Sequence, residues 1–201
     1  MELIYHRRNT LEDLKSTNTD LGVEVDIRTN GDEIIIHHDP MTEGPSFNEW
    51  IKFYKHGTLI LNIKEEGLES YIIKILEKEK ISNYFFLDQS FPFLIKYAKK
   101  GERRCAVRVS EYESLDTALS LSGRVDWIWL DCFTKLPIGT LEYKALKNAG
   151  FKICLVSPEL QGRKAEIEIE KMNCKIIEYQ MNIDAVCTKR PDLWQKLVLS
   201  R

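Results

Sequence analysis

The sequence predicts an α/β protein folded as one (β/α)8 TIM barrel, a single domain covering residues 1–201. Three observations predict it. Short β-branched or aromatic runs alternate with longer amphipathic runs from one end of the chain to the other, the texture of repeated βα units. The strand-like runs that a helical pattern follows number eight, the count that closes a parallel barrel. No G-x-G-x-x-G or G-x-x-x-x-G-K follows any of them, so the usual signals of an open, doubly wound nucleotide-binding sheet are missing.

Taken in order, residues 3–7 form the first strand and 10–17 the first helix. Residues 23–28 form the second strand. Asn30-Gly31-Asp32 then reads as a tight hairpin turn into an additional strand at 33–38. A helix at 47–54 leads to a strand at 59–64, and a helix at 68–80 to a strand at 84–89. The helix at 93–100 stops at Gly101 before the strand at 105–110, because glycine accepts the left-handed conformation that ends helices. A helix at 115–121 and a strand at 127–132 follow. The helix at 140–148 stops in the same way at Gly150, before the strand at 152–157. A helix at 164–172, a strand at 185–188 and a helix at 191–199 complete the series, with Pro191 suited to a first helical turn.

Composition bounds the function. With 43% hydrophobic and 30% charged residues the chain is an ordinary globular one, neither disordered, collagenous nor coiled-coil. Its 29 Lys+Arg against 31 Asp+Glu leave a net charge of −2, so no global basic field is available for nucleic acid or an anionic membrane. Cys105, Cys132, Cys154, Cys174 and Cys187 are odd in number and widely spaced, which argues against disulfides and structural zinc. Met1-Glu2-Leu3-Ile4-Tyr5-His6 enters a strand without the regions of a signal peptide, so a soluble cytoplasmic protein without stable membrane insertion is expected. Nothing in the sequence sets the oligomeric state.

In a closed barrel the site lies at the C-terminal strand ends, where the following loops converge. Polar residues collect there: His6 and Arg7; Glu24, Asp26 and Arg28; His37, His38 and Asp39; Asn62 and Lys64; then Asp88, Ser90, Arg108, Ser110 and Asp131. Glu24 and Asp26 are two apart and face one side of their strand, with Val23, Val25 and Ile27 on the other. Two carboxylates sharing a lumen wall call for a countercharge. A hard divalent cation, Mg²⁺ or Ca²⁺, is one answer, and neutralisation by Arg28 or Lys64 is the other. Asn62 and Lys64 share a face next to them. Among the four histidines, His56 lies beyond the second helical run and is expected at the surface, whereas His6 and His38 are candidate acid and base.

The run Gly22-Val23-Glu24-Val25-Asp26-Ile27-Arg28, the run Ile35-Ile36-His37-His38-Asp39-Pro40, and His6-Arg7 before Asn9-Thr10-Leu11 resemble the glycerophosphodiester phosphodiesterase family. The resemblance weakens after residue 65 but extends to Thr188-Lys189-Arg190-Pro191. It implies a barrel that uses a divalent metal and two histidines to cleave small phosphodiesters. His6 and His38 match the catalytic histidines, Glu24 and Asp26 the metal-binding acids, and Arg7 and Lys64 the phosphate-contacting cations. Arg108 is a further phosphate-binding candidate, and His37 is an extra histidine. The sequence departs from the family in three places. Arg8 replaces a glycine and a carboxylate of the family's first motif, and Asn62 stands where the family carries an acidic ligand, which should lower metal affinity. The segment 39–60 is too short for the inserted subdomain that usually covers this barrel, so a more open site is expected.

The implied function is metal-dependent phosphodiester hydrolysis, with the metal on Glu24, Asp26 and Asn62. Attack by water and attack by a neighbouring substrate hydroxyl, giving a cyclic phosphate, both suit it. The alternative is a non-catalytic or weakly active barrel that binds a phosphate-bearing ligand, motivated by the lost glycine and Asn62. A phospholipase working at membranes is disfavoured because no amphipathic basic helix is present.

Overall fold

A computed structural model describes residues 1–199. Its strands are β1 (Glu2–Tyr5), β2 (Gly22–Asn30), β3 (Glu33–Ile36), β4 (Leu59–Ile63), β5 (Tyr84–Leu87), β6 (Ala106–Val109), β7 (Trp127–Leu130), β8 (Lys152–Val156) and β9 (Ala185–Thr188). Eight of them run parallel in the order β5-β4-β2-β1-β9-β8-β7-β6, and β3 lies antiparallel on β2. Where the ring would close, β5 and β6 meet through an isolated bridge between Phe86 and Cys105. The barrel is therefore nearly closed.

The helices are α1 (Leu11–Ser16), α2 (Phe47–Trp50), α3 (Glu69–Lys78), α4 (Phe91–Lys99), α5 (Leu115–Leu119), α6 (Thr140–Asn148), α7 (Ala165–Glu178) and α8 (Pro191–Leu199). A 3₁₀ turn, Ile51–Phe53, continues α2. Strands β1, β3, β4, β5, β6, β7 and β8 stop one or two residues short of the runs that the sequence suggests, because their last residues turn out into the loops of the mouth. Helix α7 instead passes residue 172. Ile169, Met172, Asn173 and Ile176 are all buried, and their three- and four-residue spacing keeps one face on the sheet to the end.

Strand parity divides the core. Val23, Val25, Ile27, Leu59, Leu61 and Ile63 face the helices, while Ile4, Ile60, Phe85, Trp127, Cys154 and Cys187 fill the lumen. The Phe85 and Trp127 rings stack at 4.6 Å, an arrangement that adds about 1 kcal/mol to the burial itself. Gly22 stands at the lumen floor. A Cβ there would lie 2.6 Å from the Thr58 carbonyl oxygen, so only glycine lets the strands approach.

Cys105, Cys132, Cys154 and Cys187 are buried, and none of the five cysteines is bridged. His56, expected at the surface, is half-buried: its ring packs on Tyr54 and its Nε2 lies 3.1 Å from the Thr17 carbonyl oxygen. No helix among the described residues is long and apolar enough to cross a membrane.

Candidate active site

The inward parity of β2 brings Glu24 and Asp26 to one wall of the mouth, both fully buried. On the neighbouring strand, Asn62 stands in register with Asp26. Its Nδ2 donates to Glu24 Oε1 at 2.9 Å. The backbone N–H of Arg7 donates to Glu24 Oε2 at 2.7 Å, and that of Arg8 to the Glu24 carbonyl at 2.8 Å. Arg7 reaches this position with φ of +52°, a left-handed conformation that costs a non-glycine residue about 1 kcal/mol.

His6 continues the inward parity of Ile4 and sets Nε2 3.7 Å from Glu24 Oε2. Burial, reinforced by the positive charges of Arg7, Lys189 and Lys64, lowers its pKa to about 3, so the ring is neutral at neutral pH. Burial and the adjacent Asp26 push Glu24 up to about 7, against the hydrogen bonds from Asn62 and Arg7.

Asp26 is gripped from several sides. Asn9 donates Nδ2 to Asp26 Oδ2 at 2.9 Å and accepts the Asp26 backbone N–H on Oδ1 at 3.1 Å. Arg7 Nε lies 3.3 Å from Asp26 Oδ2, and Lys64 Nζ lies 3.5 Å from Oδ1. The residue after Asn9 caps α1: Thr10 Oγ1 accepts the Asp13 N–H while the Thr10 N–H donates to Asp13 Oδ2, which fixes the course of the chain just after Asn9. Asn9 was not among the site residues chosen from the sequence. The available signal was a short amide between the first strand and the first helix, a group able to donate to a carboxylate and accept a backbone N–H together.

The donor set suits a hard divalent cation. Asn62 Oδ1 is buried without a partner, Asp26 Oδ1 makes no hydrogen bond and faces only the Lys64 ammonium at 3.5 Å, and the acid and amide side chains offer oxygen ligands. The acids number two, with an amide as third member, and among the described residues no group of three His, Cys, Asp or Glu side chains could hold a metal. Arg28 does not neutralise the pair, since its Nε donates to the His38 carbonyl oxygen at 2.9 Å. The cations that do approach Asp26 are Arg7 and Lys64.

Beyond the end of β3, the His37 N–H donates to the Asp26 carbonyl at 3.0 Å, tying this loop to β2. The two histidine rings have different partners. His37 Nδ1 accepts the Asp39 N–H at 3.0 Å and lies 2.7 Å from Thr42 Oγ1, so it organises its own loop. His38 Nδ1 lies 2.8 Å from Asp39 Oδ1, and the ring is half-exposed.

Arg108 stands across the mouth. Its guanidinium pairs with Asp88, Asp131 and Glu113, and Gln161 donates to the other Asp131 oxygen at 2.6 Å. Asp88 adopts φ of +58° and also takes Lys64 Nζ at 3.3 Å, so it bridges Lys64 and Arg108, two of the three sequence-predicted phosphate contacts. Arg108 also lines a cavity of about 550 Å³ with Phe91, Leu94, Tyr112 and Thr117.

No family model matches the chain, and no curated protein sequence matches it. Solved structures do match its fold. Similar to it is a glycerophosphodiester phosphodiesterase from Agrobacterium tumefaciens, with a TM-score of 0.70 at 14% identity, covering 98% of this chain and 99% of that one. A mutant tryptophan synthase α-subunit from Pyrococcus furiosus matches with a TM-score of 0.58 at 10% identity, covering 93% and 86%. The tryptophan synthase α-subunit of Campylobacter jejuni matches with a TM-score of 0.57 at 13% identity, covering 93% and 85%. At these identities the likeness establishes the parallel α/β barrel, an architecture that hosts unrelated chemistries.

Proposed function

We propose that this chain is a metal-dependent phosphodiester hydrolase of the glycerophosphodiester phosphodiesterase kind, acting on a small soluble phosphodiester in the cytoplasm. One observation carries the reading: His6, Glu24, Asp26, Asn62 and Lys64 converge at the mouth, where the buried Asn62 Oδ1 has no partner and the buried Asp26 Oδ1 has only the Lys64 ammonium beside it. The motif resemblance and the fold of the Agrobacterium enzyme support it.

Glu24, Asp26 and Asn62 would hold Mg²⁺ or Ca²⁺, which when bound draws charge from the phosphoryl group. Lys64 and Arg7 supply positive charge for the phosphoryl oxygens. His6, whose buried Nδ1 has no partner, and His38, oriented by Asp39, are the two proton carriers. Asn9 holds Asp26 in place and keeps its backbone N–H satisfied.

A second reading has its own observation. Asp26 already has Arg7 and Lys64 beside it, the arrangement of an anion-binding barrel that needs no metal. A panel of phosphodiesters assayed with Mg²⁺, Ca²⁺, Mn²⁺ and chelator separates the two. Release of a phosphomonoester that chelator abolishes is expected. Saturable binding of phosphodiesters without turnover in any metal would replace the hydrolase by the binding barrel.

A further inference from the structure

Glu69, the first residue of α3, is fully buried, and no lysine, arginine or histidine among the described residues pairs with it. Its Oε1 accepts Gln89 Nε2 at 2.8 Å, while its Oε2 has no partner. Gln89 Oε1 and Ser90 Oγ are likewise buried and unpartnered. Ser90 occupies the N-cap of α4, yet its hydroxyl makes no capping bond. All three residues line one cavity of about 180 Å³, together with Lys64, Glu65, Glu66 and Asp88. Lys64 is already engaged by Asp26 and Asp88, so the cavity is short of positive charge.

We propose that Glu69, Gln89 and Ser90 form a monovalent-cation site between α3 and the β5–α4 turn, taking an alkali ion such as potassium or sodium. The buried atoms offered are hard oxygens from a carboxylate, an amide and a hydroxyl. One buried carboxylate balances one positive charge, and a divalent ion would call for several. A protonated Glu69 donating to Gln89 Oε1 would satisfy two of the three atoms, but it leaves Ser90 Oγ bare in a cavity also lined by the carboxylates of Glu65 and Glu66. The ion would pin the turn that carries Asp88 and, through Asp88, the position of Lys64. The cation site would exist whether or not the barrel hydrolyses phosphodiesters.

Thermal melting of the whole chain in KCl or NaCl, against choline chloride at equal ionic strength and with chelator present, tests the site. The expected result is a saturable rise of about 3 °C by 100 mM alkali ion. Glu69→Gln should abolish it. Ser90→Ala keeps the Glu69–Gln89 pair and should raise the half-saturating concentration at least about threefold, so it decides the matter alone if Glu69→Gln does not fold. No alkali-specific rise in the wild type, as a protonated Glu69 would give, or an unchanged rise in the folded variants, overturns the proposal.

Discussion

Asn62 gives its amide hydrogen to Glu24 at 2.9 Å and keeps its own oxygen buried without a donor. That bond orients the amide, because the reverse placement would set oxygen against carboxylate oxygen. Asn62→Glu should therefore act in opposite directions with and without metal. In chelator, the lost donor and the added anion beside Glu24 should lower stability by about 2 kcal/mol. With Mg²⁺ or Ca²⁺, a third anion should tighten binding and give a larger rise in melting temperature than the wild type shows. Equal metal-induced shifts in the two proteins would remove Asn62 from the ligand set.

Glu24→Gln and Asp26→Asn preserve shape while removing charge. Each should lower metal-dependent turnover more than about 100-fold, since changes even one shell beyond a ligand cost about 10–100-fold. Circular dichroism should report an intact barrel in both. Wild-type rates in either variant would dissociate that acid from the metal.

His6→Ala and His38→Ala should each slow turnover by about 100-fold or more, the contribution of a positioned proton carrier. His37→Ala should change the rate far less, because its ring serves Asp39 and Thr42 in its own loop. Steady-state kinetics of the three variants decides the ranking, and a dominant loss at His37 would reverse the assignment of the two neighbours.

Arg108→Ala would leave Asp88, Asp131 and Glu113 without the cation they share. A loss of about 3 kcal/mol in urea denaturation is expected, as when one partner of a buried ion pair is removed. A loss below about 1 kcal/mol would mean that the network is solvated and that Arg108 is available to substrate.

Glu111, in the loop after β6, accepts N–H bonds from Phe133, Thr134 and Lys135 at 3.2, 2.7 and 2.9 Å. Burial pushes its pKa up, but these bonds outweigh burial and hold it at about 2, below the ordinary 4.5. A depressed carboxylate contributes stability above its unfolded pKa and loses it as pH falls toward the folded one. The wild type should therefore lose melting temperature from about pH 4.5 down to about pH 2 more steeply than Glu111→Gln. Superimposable acid limbs would contradict this.

The barrel was legible because strand parity and helix periodicity are local signals: β9, α6 and α8 have the bounds that the pattern suggests. The same parity placed Glu24, Asp26 and Asn62 on one lumen wall. Asn9, Glu69 and Arg108 were harder, since their roles arise from contacts 17, 20 and 23 residues away across loops whose course no periodicity encodes. The reach of α7 to Glu178 was written in the spacing of Met172 and Ile176, but the polar Asn173-Cys174 between them obscured it.

The isolated bridge between Phe86 and Cys105 gives the ring a clasp. Elsewhere adjacent strands share a continuous ladder, and the first and last strands, β1 and β9, are joined over four register pairs. The chain's two ends are thus sewn together, and the weak join falls mid-sequence, where Arg108 on β6 reaches Asp88 at the end of β5 like a catch. Opening the molecule would begin there, as a hoop springs at its buckle, and would spread Lys64 from Arg108 before it disturbed the Glu24–Asp26 wall.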